Sequence, residues 1–136
     1  MRQHYNLKGD KVDSELFERA TKLRRQVLGP EYAESSQADK PFSRPLLDLV
    51  TQYGWGEAWG GKHLTLKMRS LLMLAMLTAL NRPRQLRPHL QGAVNNGATA
   101  EEISEVLVHA AVVCGAPAAL DAAQVAEEFF AQHKHR

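Results

Sequence analysis

Between Leu71 and Leu80 the chain reads Leu-Leu-Met-Leu-Ala-Met-Leu-Thr-Ala-Leu, apolar at every position but Thr78. Ten such residues are half of the roughly 20 that a bilayer span requires, so the run reads as a buried helix. A helix that is apolar nearly all round is stable only when other helices surround it. The run therefore predicts the centre of a helical fold, in a helix from about Thr65 to Asn81. The rest of the chain agrees: 18 alanines and 18 leucines among 136 residues favour helix, and no segment alternates with the period of a strand. The expected class is all-α with about six helices, in a single domain over residues 1–136, divided into an N-terminal helix and arm (1–42) and a core (43–132).

The boundaries follow from caps and breakers. Leu16, Ala20, Leu23 and Val27 recur at steps of three and four after Asp13 or Ser14 as cap, and Gly29-Pro30 ends that first helix. Residues 30–42 are polar, carry proline and show no period, which predicts a long connection or arm. A short helix from Ser43 to Tyr53, with Leu46, Leu47, Leu49 and Val50 inward, is expected to stop at Gly54. Trp55 to His63 holds both tryptophans and, counting Gly54, four glycines, so it reads as a turn carrying large aromatic surfaces. Pro83 suits the first position of the next helix, while Pro88 predicts a kink in it or its true start. Thr99 and Glu102 form the capping-box pattern T-x-x-E ahead of Ile103, Val106, Leu107, Ala110, Ala111 and Cys114. Gly115 should end that helix and Pro117 begin the last one. There Ala118, Ala119, Ala122, Ala123 and Ala126 offer a thin face for close approach of another backbone, between subunits as well as within one.

Composition removes several function classes. With 17 basic and 15 acidic side chains the charge is too balanced for a nucleic-acid coat or a polybasic membrane anchor. The N-terminal residues lack the apolar core of a signal peptide, and a cytoplasmic protein is expected. Cys114 stands alone, which excludes an intrachain disulfide, a thiolate zinc cage and a two-cysteine redox motif. No H-x-x-x-H or H-E-x-x-H spacing occurs, so no metal site is expected.

Six histidines remain. His4, His133 and His135 read as solvated chain ends. His109, beside an apolar stripe, reads as a structural, hydrogen-bonded histidine, and Cys114 as a buried inert thiol. His89 is the chief candidate for chemistry: it follows a proline and stands among Arg82, Arg84 and Arg87, a neighbourhood that favours anions. Arg69 enters the most apolar helix and needs either a carboxylate partner, such as Glu57 or Glu105, or an anionic ligand. Trp55, Glu57 and Trp59 make one wall of a pocket or close the edge of the core, with Lys62 and His63 supplying charge beside them.

The ordered series Leu23-Arg24 to Val27-Leu28-Gly29, Trp55-Gly56-Glu57-Ala58-Trp59, Leu64 to Met68, Arg69-Ser70-Leu71, Leu77 to Leu80, Leu86, His89-Leu90, Asn95-Asn96-Gly97, Glu101-Glu102-Ile103 and Cys114-Gly115-Ala116-Pro117 resembles the carboxymuconolactone decarboxylase family across nearly the whole chain. The resemblance implies a helical fold assembled as a homo-oligomer, a trimer or hexamer, acting on a small anionic substrate without a cofactor. Thiol-dependent peroxidases of the same superfamily carry C-x-x-C-x-x-x-H and an upstream glutamate. Here Arg82, Gln85 and Ser70 stand at those places, so no thiol relay is expected.

The family reaction removes CO2 from a butenolide diacid in aromatic catabolism and gives an enol-lactone. On that resemblance His89 is expected to donate the proton or a hydrogen bond, with Glu57 orienting it or Arg69. Arg69 is expected to anchor a carboxylate, Trp55 and Trp59 to form apolar walls, and Lys62 and His63 to supply cations. Many members carry an arginine near the position of Gly61 and a tyrosine at that of Val113, so the substrate differs or the role is redistributed. The alternatives are a relative that isomerises another small acid through the same dienolate, or an oligomeric binding protein without turnover.

Overall fold

A computed structural model describes residues 14–36 and 40–133. Every regular element among them is helical. The chain forms two compact units, Met1–Leu64 and Thr65–Arg136. His4, His135 and the expected Asp13 cap lie outside the described residues.

In the first unit, α1 (Ser14–Leu28) buries Ala20, Arg24, Val27 and Leu28, a face at steps of four, three and one that carries a guanidinium among apolar groups. Gly29, at φ 88°, lets the chain leave α1 and lead into α2 (Pro30–Ser35). That helix corrects the expectation of an unstructured connection. Pro30 and Glu31 suit a helix start, but six residues are too few to display a period. Arg24 pins α2 to α1: its Nη1 donates to the Ala33 carbonyl at 3.0 Å and its Nη2 to the Ser36 hydroxyl. Burial pulls its affinity for a proton below that of a free guanidinium, opposed in smaller part by Tyr32.

The helix α3 (Arg44–Leu49) does not stop at Gly54. It continues as a π-helical segment from Val50 to Ala58, closed by the Trp59 N–H donating to the Gly54 carbonyl at 2.8 Å. Two expectations change here. Trp55 to Ala58 is helix, while Trp59 to Leu64 forms the expected turn, and the buried positions are Asp48, Thr51, Gln52 and Trp55, with Leu46 and Val50 exposed. The segment packs on α1 through Gly56, where an added Cβ would meet Leu16 Cδ1 at 2.9 Å.

The second unit is a four-helix assembly of α4 (Leu66–Ala79), α5 (Pro83–Asn95), α6 (Ala100–Cys114) and α7 (Ala116–His133). Its core joins Leu74, Leu86, Leu90, Ile103, Leu107 and Phe129 with small residues between them. Pro83 opens α5 as expected, and Pro88 sits inside the helix without ending it. The carbonyl one turn back belongs to Arg84, an exposed residue, at a site where water is able to take the place of the missing N–H. Thr99 and Glu102 make the full reciprocal cap of α6, and Gly115, at φ 109°, terminates it.

Two further expectations change here. The central helix α4 is covered on one side only: Met68, Leu72, Met76 and Leu80, each one turn from the next, are exposed by 40–63%. On α6 the buried stripe is Ile103, Leu107 and Ala110, which leaves His109 on the far side and Cys114 beyond the core, both exposed. The alanine face of α7 packs within the unit as expected, with Ala119, Ala122 and Ala126 buried and Ala118 and Ala123 half-buried. No helix is long and apolar enough to cross a membrane among the described residues.

Candidate active site

The residues singled out for chemistry fall into both units. In the first, Trp55 and Trp59 are 4% and 7% exposed and stack on each other, ring centroids 4.7 Å apart and planes at 26°. Four positions apart on a π-helix, they share one face, which is why a segment of this shape can present paired indoles. Gly60 follows so closely that a Cβ there would stand 2.1 Å from the Gly56 carbonyl oxygen. Glu57, Lys62 and His63 are all exposed, and the chain from Gly60 to Leu64 turns and bends without regular structure.

In the second unit Arg69 and His89 sit on the packed helices α4 and α5. Both are half-buried, with Nε of Arg69 and Nδ1 of His89 shut off from solvent, and each residue makes a further interaction. An arginine in this position carries a permanent positive charge at the edge of an apolar helix, a setting in which carboxylates bind strongly. His89, on the neighbouring helix α5, supplies an imidazole, a side chain able to donate or accept a hydrogen bond.

The first turn of α4, which carries Arg69, is held from three directions. The Thr65 hydroxyl accepts from the Met68 N–H at 3.1 Å. From the end of α5, the Asn96 amide donates to the Ser70 hydroxyl at 2.9 Å and reaches the Leu66 carbonyl at 3.4 Å. From α6, Glu102 Oε1 takes the Lys67 ammonium at 2.6 Å while its Oε2 accepts the Thr99 N–H at 2.9 Å. Those bonds hold the Glu102 carboxyl below the usual range, the Lys67 hydrogen bond first and the Thr99 N–H second. The capping pattern disclosed one oxygen of Glu102; its second partner, some 35 positions back, had no local signal.

His133 is exposed, as expected of the chain end, but it is hydrogen-bonded rather than free. It ends α7 with Nδ1 2.8 Å from the Phe129 carbonyl and Nε2 2.8 Å from Gln91 Oε1, its ring against Phe129. Away from the candidate residues, α6 and α7 border an open apolar groove of about 550 Å³, lined by Ile103, Leu107, Ala126 and Phe130 with Ser104 and Glu127 at its polar points. Among the described residues no group of three or more His, Cys, Asp or Glu is placed to hold a metal ion.

Comparison with known proteins adds the following. Residues 44–128 match the model of the carboxymuconolactone decarboxylase family. The chain is 39% identical over 120 residues to a nitrosuccinic acid decarboxylase of Metarhizium robertsii, covering 88% of this chain and 84% of that protein. It is 33% identical over 119 residues to a 4-carboxymuconolactone decarboxylase of Acinetobacter baylyi, covering 87% of this chain and 89% of that one.

Proposed function

The chain belongs to the carboxymuconolactone decarboxylase family, and from that premise we propose that it removes CO2, without a cofactor, from γ-carboxymuconolactone or a related unsaturated lactone acid in aromatic catabolism. The observation that carries this reading is likeness over nearly nine-tenths of the chain to two enzymes named as decarboxylases of two different acids. Those acids share one demand. Each is a diacid in which the carbon that loses CO2 is attached to, or conjugated with, an electron sink.

In the lactone, the electron pair of the breaking C–CO2 bond flows through the conjugated C=C into the lactone carbonyl and leaves a dienolate. A proton added at the α carbon then gives the enol-lactone. The substrate supplies the sink, so the protein has only to hold the retained carboxylate, shield the departing one from water, and deliver the proton. Arg69 is the anchor in this scheme and His89 the proton donor, or the hydrogen-bond donor to the oxyanion. Trp55 and Trp59 are the apolar walls of this scheme, Glu57 the residue that orients His89 or Arg69, and Lys62 and His63 further substrate-binding residues.

A second reading is favoured by the 39% identity to the nitrosuccinic acid enzyme, and Gly61 and Val113, where many family members carry an arginine and a tyrosine, fit a substrate other than the lactone. Nitrosuccinate would lose the carboxylate beside its nitro group, the electron pair passing into a nitronate. Purified protein incubated with each acid, with CO2 and product followed together, separates the two. Release from one acid only assigns the substrate, and isomerisation without CO2, or binding without turnover, overturns the decarboxylase reading. A rate unchanged in His89→Ala removes that residue from the scheme.

The same reading makes the protein a cytoplasmic homo-oligomer, trimer or hexamer. It is supported by the uncovered apolar ridge of α4 and by Val108, Val112, Val113 and Leu120, which are 63–83% exposed. A monomer in sedimentation would sink it.

A further inference from the structure

We propose that Asn96 and Glu102 are positioning residues: the turn between α5 and α6 is a clip that fixes the first turn of α4 and so sets the direction of the Arg69 guanidinium. The proposal rests on the reading of Arg69 as the carboxylate anchor.

The clip is built from bonds that the fold alone does not require. Asn96 follows the last residue of α5, and its backbone N–H already completes that helix by donating to Gly92. Its side chain is therefore not needed as a cap. It turns instead to α4, donating to the hydroxyl of Ser70, which is 1% exposed, and reaching the Leu66 carbonyl, so that it grips the residues on both sides of Arg69 along the chain. Gly97, at φ 88°, then reverses the chain within a short turn, and Ala98 N–H donates back to the Ala93 carbonyl at 2.9 Å. The reversal brings Glu102, on the first turn of α6, against Lys67 at 2.6 Å. One turn of one helix thus receives polar ties from two neighbouring helices, beside a core of Leu74, Leu86, Leu90 and Ile103.

An apolar helix is located by its packing but is free to make small rotations and slides at little cost. A guanidinium that must meet a carboxylate with two parallel hydrogen bonds tolerates neither. Polar ties on either side of Arg69 remove that freedom at the anchor. Asn95-Asn96-Gly97 and Glu101-Glu102, noticeable in the sequence but unused by the chemistry, acquire a role in this way.

The test is a double-mutant cycle on γ-carboxymuconolactone and on its analogue with a methyl group in place of the acetate arm, which has no carboxylate to anchor. Should the protein turn over nitrosuccinate instead, 2-nitrosuccinate and 2-nitrobutanoate serve in their place. Asn96→Ala is expected to raise KM for the diacid about tenfold with kcat within about twofold, and to leave the monoacid unchanged. Ser70→Ala, which keeps the Leu66 contact, and Glu102→Gln, which keeps the cap acceptor, should shift KM the same way by less. Asn96→Ala combined with Arg69→Ala should be no worse than Arg69→Ala alone. Additive losses, or equal losses on diacid and monoacid, overturn the clip while leaving Arg69 as anchor. An Arg69→Ala protein with unchanged KM overturns the anchor and the clip with it. Circular dichroism and denaturation establish that each variant is folded, and if Asn96→Ala is not, Ser70→Ala and Glu102→Gln decide the question.

Discussion

Replacing the glycines of the π-helical segment and of the turn that follows it by alanine, one at a time, tests the geometry in a graded way. At Gly54 an added Cβ meets only Val50 Cγ1 at 3.7 Å, an ordinary contact, so Gly54→Ala should be neutral or gain up to about 1 kcal/mol from helix propensity. At Gly56 the same atom meets Leu16 Cδ1 at 2.9 Å and Cγ at 3.1 Å. Leu16 can change rotamer, so a loss of about 1–2 kcal/mol is expected. At Gly60 the obstacle is the Gly56 carbonyl oxygen at 2.1 Å, which is backbone and must move by about 1 Å to reach ordinary contact. That movement disturbs the segment carrying both stacked tryptophans, and a loss of at least about 3 kcal/mol is expected. Guanidinium unfolding followed by tryptophan fluorescence reads all three, because the only two indoles of the chain lie in this segment. The order Gly54, Gly56, Gly60 in increasing damage is the prediction. A Gly60→Ala protein within about 0.5 kcal/mol of the parent would refute the closed π-helical path.

Other consequences follow from the same structure. Arg24→Met keeps most of the buried volume but strips the donors from the Ala33 carbonyl and Ser36 hydroxyl. It should cost about 1–3 kcal/mol in denaturant unfolding, and proteolysis should become faster within α2. Because the Glu102 carboxyl is held below its unfolded value, its contribution is present above about pH 4.3 and fades as the pH falls through the lower, folded value. The stability difference between parent and Glu102→Gln should therefore be seen at pH 7 and vanish in the acid range. A constant difference would contradict the ion pair. Val112→Asp, on a side chain 83% exposed, should leave the chain folded by circular dichroism while lowering the sedimentation coefficient, as expected if α6 meets another copy.

What the sequence disclosed and what it hid follow from range. Thr99 and Glu102 act on each other three positions apart, Pro83 and Gly115 act on their own backbone, and the helices they bound were legible. The course from Gly54 to Ala58 was not. Glycines there suggested a turn, whereas the structure uses Gly56 and Gly60 to let α1 and the coil itself approach closely. The inward face of α3 was misjudged because six residues show too little period to fix which side is covered: Asp48 is buried and Leu46 exposed. Cys114 and His109 were assigned by period alone, and the period does not say where the covering helices end. At the candidate site Arg69 and His89 were legible as unusual residue types in their settings. Asn96 and Lys67 were not, because their partners, Ser70 and Glu102, lie 26 and 35 positions away.

The most direct measurement of the central claim is carbon balance on γ-carboxymuconolactone labelled with 13C in the carboxylate on its γ carbon, with labelled 2-nitrosuccinate in parallel. Decarboxylation by this chain predicts one labelled CO2 for each molecule of product from at least one of the two acids, in metal-free buffer, with the rate strongly reduced in Arg69→Ala and in His89→Ala. Label retained in the product of both, or neither acid consumed by a folded protein, would contradict it.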